Sequence, residues 1–178
     1  RLVGDCALAC AFMSYCGPFN KSFRDKLVQD YFIQDMASKK VPFTKNLNLL
    51  DMLTNDAVRG EWNLQGLPTD ELSVQNGILT TKASRFPIMI DPQGQGLGWT
   101  RVKDLTNGLK ETSFNDKAFR NTLEDCLALG NTLLLSNVEE DLDPVLDAVL
   151  DKLFLKKGKG CFIAASSSAN CTREQKEQ

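Results

Sequence analysis

The chain has 178 residues, enough for one ordinary domain, and its 42% hydrophobic and 25% charged content is that of a globular protein rather than a disordered one. A net charge of −2, with acids and bases interspersed, leaves no electrostatic footprint for nucleic acid or an anionic membrane. Histidine is absent, which excludes Ser-His-Asp triads, Cys-His dyads and His-ligated zinc.

In chain order, the first predicted element is a buried helix. Its apolar run at 6–13 is too short to span a membrane, which needs about 20 residues. Gly17-Pro18 breaks it. The chain opens on Arg1 rather than Met, as expected of a piece of something larger. A second helix is predicted from the cap Asn20, with Phe23, Leu27 and Tyr31 on one face and Val28, Phe32 and Met36 beside them. Short helical pieces are predicted at 47–53 and 57–62. At Asn76-Gly77 two readings compete: flanking apolar residues make the pair a hairpin signal, while Thr69 can cap a helix running from Asp70 towards Lys82.

The second half has the rhythm of a parallel α/β sheet. Residues 86–90 form a continuous apolar run suited to a strand buried on both faces. A glycine turn at 93–98 comes next, then a helix beyond Trp99. Residues 109–113 read as a strand, and Asn115 as the cap of a helix that carries Phe119, Leu123, Cys126 and Leu127 inward and stops at Gly130. Residues 132–135 read as a third buried strand. Asp141 and Asp143, with Pro144, are expected to cap the next helix rather than bind metal. From 158 onward the chain diverges into a polar tail expected to be poorly ordered.

Six cysteines occur, at 6, 10, 16, 126, 161 and 171, with no C-x-x-C pair, which argues against zinc ribbons and thioredoxin-like chemistry. The interval between Cys6 and Cys10 stacks both on one helix face. All six are read as small buried residues in a reducing compartment.

Strand, glycine turn and helix are the context of a phosphate loop, G-x-x-x-x-G-K-[ST]. Counted from Asp91, Gly94 lies within the loop and Gly96 falls on the second motif glycine. Leu97 stands where lysine should reach phosphate, and Gly98 where a hydroxyl should hold magnesium. The next strand should end in Asp-Glu to bind magnesium and orient water. It ends in Ser136-Asn137, with Glu139 and Glu140 two residues late. These positions mark a vestigial phosphate loop and a vestigial magnesium site. No catalytic residue and no metal ligand is expected among them.

Several separate motifs resemble one family. WNLQGLPTDELSVQNG at 62–77 and RFPIMIDPQGQG at 85–96 are similar to the fifth AAA+ module of dynein heavy chains. Upstream, 3–27 resembles the segment that joins the stalk to that module, and 119–150 resembles a further family block. The wording at 65–68 and 73–77 is closest to axonemal, outer-arm chains.

The resemblance implies an α/β fold: a partial AAA+, P-loop-type parallel sheet flanked by helices and preceded by an N-terminal helical segment. It divides the chain into a stalk-to-ring segment at 1–45, an incomplete large subdomain at 46–157 and a divergent tail at 158–178. It also implies that 72–80 is helical. The remaining strands of the sheet would be absent, which leaves apolar edges open and the isolated chain prone to aggregate. The implied role is that of a non-hydrolysing module in a minus-end-directed, ATP-driven microtubule motor. No cofactor is expected in this module, ATP and magnesium belonging to others of the parent. Implied partners are the neighbouring modules and stalk, the microtubule through that stalk, and intermediate and light chains, with no nucleic acid and no membrane. The implied location is the cytoplasm and cytoskeleton, in the ciliary axoneme. The alternatives are a regulatory module that binds phosphate or nucleotide, or a folded adaptor with no motor role.

Overall fold

The computed structural model describes residues 2–139, 142–157 and 160–163, of which 154–157 and 160–163 are described through their backbone. It divides into two compact units, Arg1–Trp99 and Thr100–Gln178.

The first unit is helical. Helix α1 (Val3–Tyr15) buries Leu8, Ala9 and Phe12. Its start is clamped to the 42–44 loop. Gly4 N–H donates to the Pro42 carbonyl at 2.9 Å, so close that an added Cβ would lie 2.6 Å from that oxygen. Buried Asp5 accepts from Thr44 through both its backbone N–H (2.7 Å) and its hydroxyl (2.8 Å). Helix α2 (Lys21–Lys26) is capped by Asn20, whose side chain accepts from Phe23 N–H at 3.0 Å. It continues through a π-helical segment, Leu27–Ile33, into α3 (Gln34–Ser38).

The buried face differs from the predicted one: Arg24, which precedes the π segment, points inward with Val28 and Met36, while Phe23 and Tyr31 are exposed. The buried Arg24 guanidinium donates to the carbonyls of Cys16, Gly17 and Phe19 and to Gln75 Oε1, tying the Gly-Pro turn to a later helix.

Helices α4 (Leu49–Leu53) and α5 (Asp56–Leu64) come next, capped by Asn48 and Asn55. The Asn76-Gly77 conflict resolves as helix α6 (Glu71–Lys82), capped by Asp70 rather than Thr69, with Asp70 accepting from Ser73 N–H at 3.0 Å. Gly77 is there for close packing. A Cβ on it would meet the Trp62 ring at 3.0 Å and Leu67 at 3.1 Å. Trp62 in turn packs edge-on to Trp99 with ring centroids 5.7 Å apart, and Ile78 and Cys16 are fully enclosed.

The predicted strand at 86–90 does not form. The segment is irregular, and Phe86, Ile88 and Ile90 are 56%, 77% and 93% exposed. A strand buried on both faces needs hydrogen-bonded neighbours on each edge and a layer above each face. No strand of the first unit's described residues supplies the first requirement.

Helix α7 (Gln95–Lys103) starts ahead of Trp99 rather than beyond it. In the second unit β1 (Lys110–Ser113) and β2 (Leu133–Ser136) pair in parallel, Lys110 opposite Leu133 and Ser113 opposite Ser136. Helix α8 (Phe119–Leu129) joins them and buries Phe119, Leu123 and Cys126. Asn115 does not cap it. Asp116 accepts from Ala118 N–H at 2.9 Å instead, while Gly130 ends the helix in the left-handed region at φ 75°. Asp143 accepts from Val145 N–H at 2.9 Å just ahead of α9 (Val145–Leu150), whose N-cap residue is Pro144; Asp141 lies outside the described residues. Strands β3 (Phe154–Lys157) and β4 (Gly160–Ile163) pair antiparallel, Phe154 opposite Ile163, and β4 lies within the expected tail.

The cysteines also need correction. Cys16 and Cys126 are buried as expected, but Cys6 and Cys10 are exposed. The side chains of Cys161 and Cys171 lie outside the described residues.

Candidate functional site

The predicted site residues fall in two places, a glycine turn in the first unit and a strand end in the second. The turn is built from its own backbone. Gly94 takes φ 72°, a left-handed conformation open to glycine at no steric cost, and its N–H donates to the Asp91 carbonyl at 3.2 Å. The chain then enters α7, with the first helical bond from Gly98 N–H to the Gly94 carbonyl at 3.0 Å.

Asp91 sits over this helix start. Its Oδ1 accepts from Gln95 N–H at 3.1 Å and its Oδ2 from Leu97 N–H at 2.8 Å. These are N–H groups that a helix start would otherwise turn towards an anion, and the positive end of the helix dipole favours the carboxylate there. Gly96 lies under the same side chain: a Cβ on it would be 3.4 Å from Asp91 Oδ2 and 3.6 Å from Met89 Sδ. Leu97 is half-buried and Gly98 exposed. The turn therefore brings Asp91, Gly94, Gly96 and Leu97 together, and the charge at its centre is negative.

At the strand end, Ser136 closes the β1–β2 ladder. Its hydroxyl donates to Glu111 Oε1 at 3.1 Å. Glu111 is also gripped by Arg101, from Nε to Oε2 at 3.1 Å and from Nη2 to Oε1 at 2.8 Å. The Arg101 bonds and then the Ser136 bond hold the Glu111 carboxyl below its ordinary value, and Arg101 is raised by the same contact. Asn137 turns the chain at φ 53° and is exposed, as is Glu139. Glu140 lies outside the described residues. The carboxylate nearest Ser136 in the hydrogen-bond network thus belongs to Glu111, already neutralised by a guanidinium.

Neither Glu111 nor its bond to Arg101 was visible in the sequence. The two are ten residues apart, on a helix and on a strand, and no local spacing rule pairs them. Lys103, the other basic residue past the turn, makes an ion pair with Asp104 at 2.9 Å. A pocket of about 190 Å³ in the first unit, lined by Arg59, Trp62, Leu67 and Thr69 among others, also escaped the sequence reading. It is smaller than the roughly 300 Å³ at which small-molecule sites begin, and no residue of the turn lines it. Among the described residues no group of three or more His, Cys, Asp or Glu side chains could hold a metal ion.

Helices, a glycine turn leading into a helix, and parallel strands joined through a helix define a partial AAA+-type α/β fragment with N-terminal helices. Residues 60–171 match the family described as the ATP-binding dynein motor region, and the chain belongs to the axonemal dynein heavy chains. That match runs past residue 157, where the resemblance read from sequence stops. The chain is 57% identical over 159 residues to the dynein gamma chain of the flagellar outer arm of Chlamydomonas reinhardtii, across 89% of this chain and 4% of that protein. It is 52% identical over 158 residues to human dynein axonemal heavy chain 8, across 89% and 4%. Against mouse dynein axonemal heavy chain 5 it is 56% identical over 158 residues, across 89% and 3%. The chain therefore spans only 3–4% of the length of these relatives.

Proposed function

We propose that this chain is part of a non-hydrolysing, mechanical module of an axonemal dynein heavy chain, the fifth AAA+ module of its ring. In that role it links ring and stalk in an ATP-driven, minus-end-directed microtubule motor of the ciliary axoneme. Neighbouring modules and the stalk are its direct partners, and the microtubule, intermediate chains and light chains are reached through the parent. The module works without a bound cofactor of its own, ATP and magnesium being turned over elsewhere in the ring.

The observation that carries this reading is the Asp91 carboxylate on the N–H groups of Gln95 and Leu97. A triphosphate approaching this turn meets a negative charge already satisfied by the backbone. It also finds Leu97 in place of a lysine and Gly98 in place of a hydroxyl. A hydrogen bond to a charged group is worth roughly 1.5–3 kcal/mol. Two missing ones cost about 3–6 kcal/mol, on the order of 10²–10⁴ in affinity. The strand end adds support: among the described residues, Ser136 and a guanidinium-bound Glu111 leave no pair of carboxylates poised for magnesium there.

Isothermal calorimetry with Mg-ATP and Mg-ADP tests the proposal. Binding weaker than about 1 mM is expected. A Kd tighter than about 10 μM, abolished by substitutions in 91–98, overturns it in favour of a regulatory nucleotide-binding module.

A further inference from the structure

Helix α1 carries two thiols with no part in the packing. Gly4, Asp5, Leu8, Ala9 and Phe12 form its buried side, and Val3, Cys6, Ala7, Cys10, Ser14 and, at its end, Tyr15 are exposed. Cys6 and Cys10 are free and exposed, one turn apart, whereas Cys16 and Cys126 are enclosed. Ala7 lies between them and Ser14 beyond, so no bulky side chain of α1 screens the pair.

The spacing decides what the pair can do. Side chains four apart on a helix have Cβ atoms about 5–6 Å apart, wider than the roughly 3.5–4.5 Å of a disulfide. Direct oxidation would have to unwind a turn whose other side is core. One atom inserted between the sulfurs removes the mismatch. Two metal–thiolate bonds of about 2.3 Å, the zinc–thiolate length, separate the sulfurs by up to about 4.6 Å, which the helical spacing accepts. Zinc asks for four ligands, and no third His, Cys, Asp or Glu joins the pair among the described residues. Thiolates favour soft ions, Cu(I) among them.

We infer that Cys6 and Cys10 form a two-coordinate, bis-thiolate site for Cu(I). On loading, each thiol gives its proton to solvent as its S–Cu bond forms, and the copper stays Cu(I) throughout. No oxidant or reductant is needed.

The test is an anaerobic Cu(I) titration of the reduced chain against a chromophoric Cu(I) chelator, with alkylation of each cysteine mapped by mass spectrometry. One equivalent should bind and protect Cys6 and Cys10 together. Cys6→Ser or Cys10→Ser should each weaken binding at least 100-fold, with the circular dichroism of the helices unchanged because both sites are exposed. A Cys161→Ser/Cys171→Ser chain should bind as the parent does. Single-serine variants that bind copper normally, protection of one thiol without the other, or loading that links two chains into a dimer overturns the site.

Discussion

The two units of this chain solve the same problem with different success. In the first, helices α1 to α6 enclose Ile78 and Cys16 completely and pack Trp62 against Trp99. In the second, the buried apolar cluster is Phe119, Leu123 and Leu146, while the strand residues Leu133 and Leu135 are only partly covered. A helix satisfies its backbone alone and needs one apolar neighbour, whereas a strand needs partners on both edges before its faces count. The contrast teaches that helices complete a core with neighbours close in sequence, while strands stay half-covered until other elements pair with their edges and cover their faces.

Core truncation tests that contrast most strongly. Ile78→Ala should destabilise the first unit by about 4 kcal/mol, the cost of a cavity in a fully enclosed site. Leu135→Ala, half-covered, should cost about 1–2 kcal/mol in the second. Urea denaturation followed by tryptophan fluorescence reads the first unit, because both tryptophans belong to it, and native-state hydrogen exchange at the β2 and α8 amides reads the second. Equal costs at the two positions would break the comparison.

Gly4→Ala sharpens the account of the helix clamp. Its Cβ would press on the Pro42 carbonyl, a backbone atom that cannot swing away, and a loss of about 2 kcal/mol is expected in the same assay. A neutral result would mean that the 42–44 loop is free to shift. Next in size is Asp91→Ala, which removes the acceptor for two helix-start N–H groups and should cost about 1 kcal/mol. Hydrogen exchange should localise that loss to the amides of Gln95 and Leu97.

The smallest effect expected is a pH dependence. The Thr44 backbone N–H, more than any other contact, holds the Asp5 carboxyl below its ordinary 3.8. A depressed folded-state value means that this stabilisation is complete above the unfolded value and fades as pH falls through the folded one. Denaturation midpoints between pH 2 and pH 5 should therefore drop less steeply for Asp5→Asn than for the parent chain. Parallel curves would remove Asp5 from the clamp.

A similar divide, local against distant, separates the features legible in the sequence from those that were not. Asn20 as a cap, Gly130 as a stop, and β1 and β2 within a residue of their predicted bounds are local matters of capping and apolar runs, and they emerged at their expected places. The failures involve partners distant in sequence. Residues 86–90 have a strand's composition and no strand beside them. Arg24 turns inward to acceptors that include Gln75, a partner on a later helix that no local pattern anticipates. Gly77 looked like half of a hairpin turn because the reason for it, the Trp62 ring, lies fifteen residues away. At the site, the missing lysine and hydroxyl could be read from Leu97 and Gly98 alone, and so could a carboxylate nearby. That Asp91 would bond to two amides, and Glu111 to Arg101, required the folded backbone.

The resident carboxylate at Asp91 has a consequence for anyone seeking to revive the turn. Installing Lys at 97 and Thr at 98 would place a new cation beside an anion bound at the same amides. The two would neutralise each other within the protein before any triphosphate arrived. On the function proposed above, revival must begin by evicting the incumbent, which makes it a matter of at least three replacements, at 91, 97 and 98, rather than two.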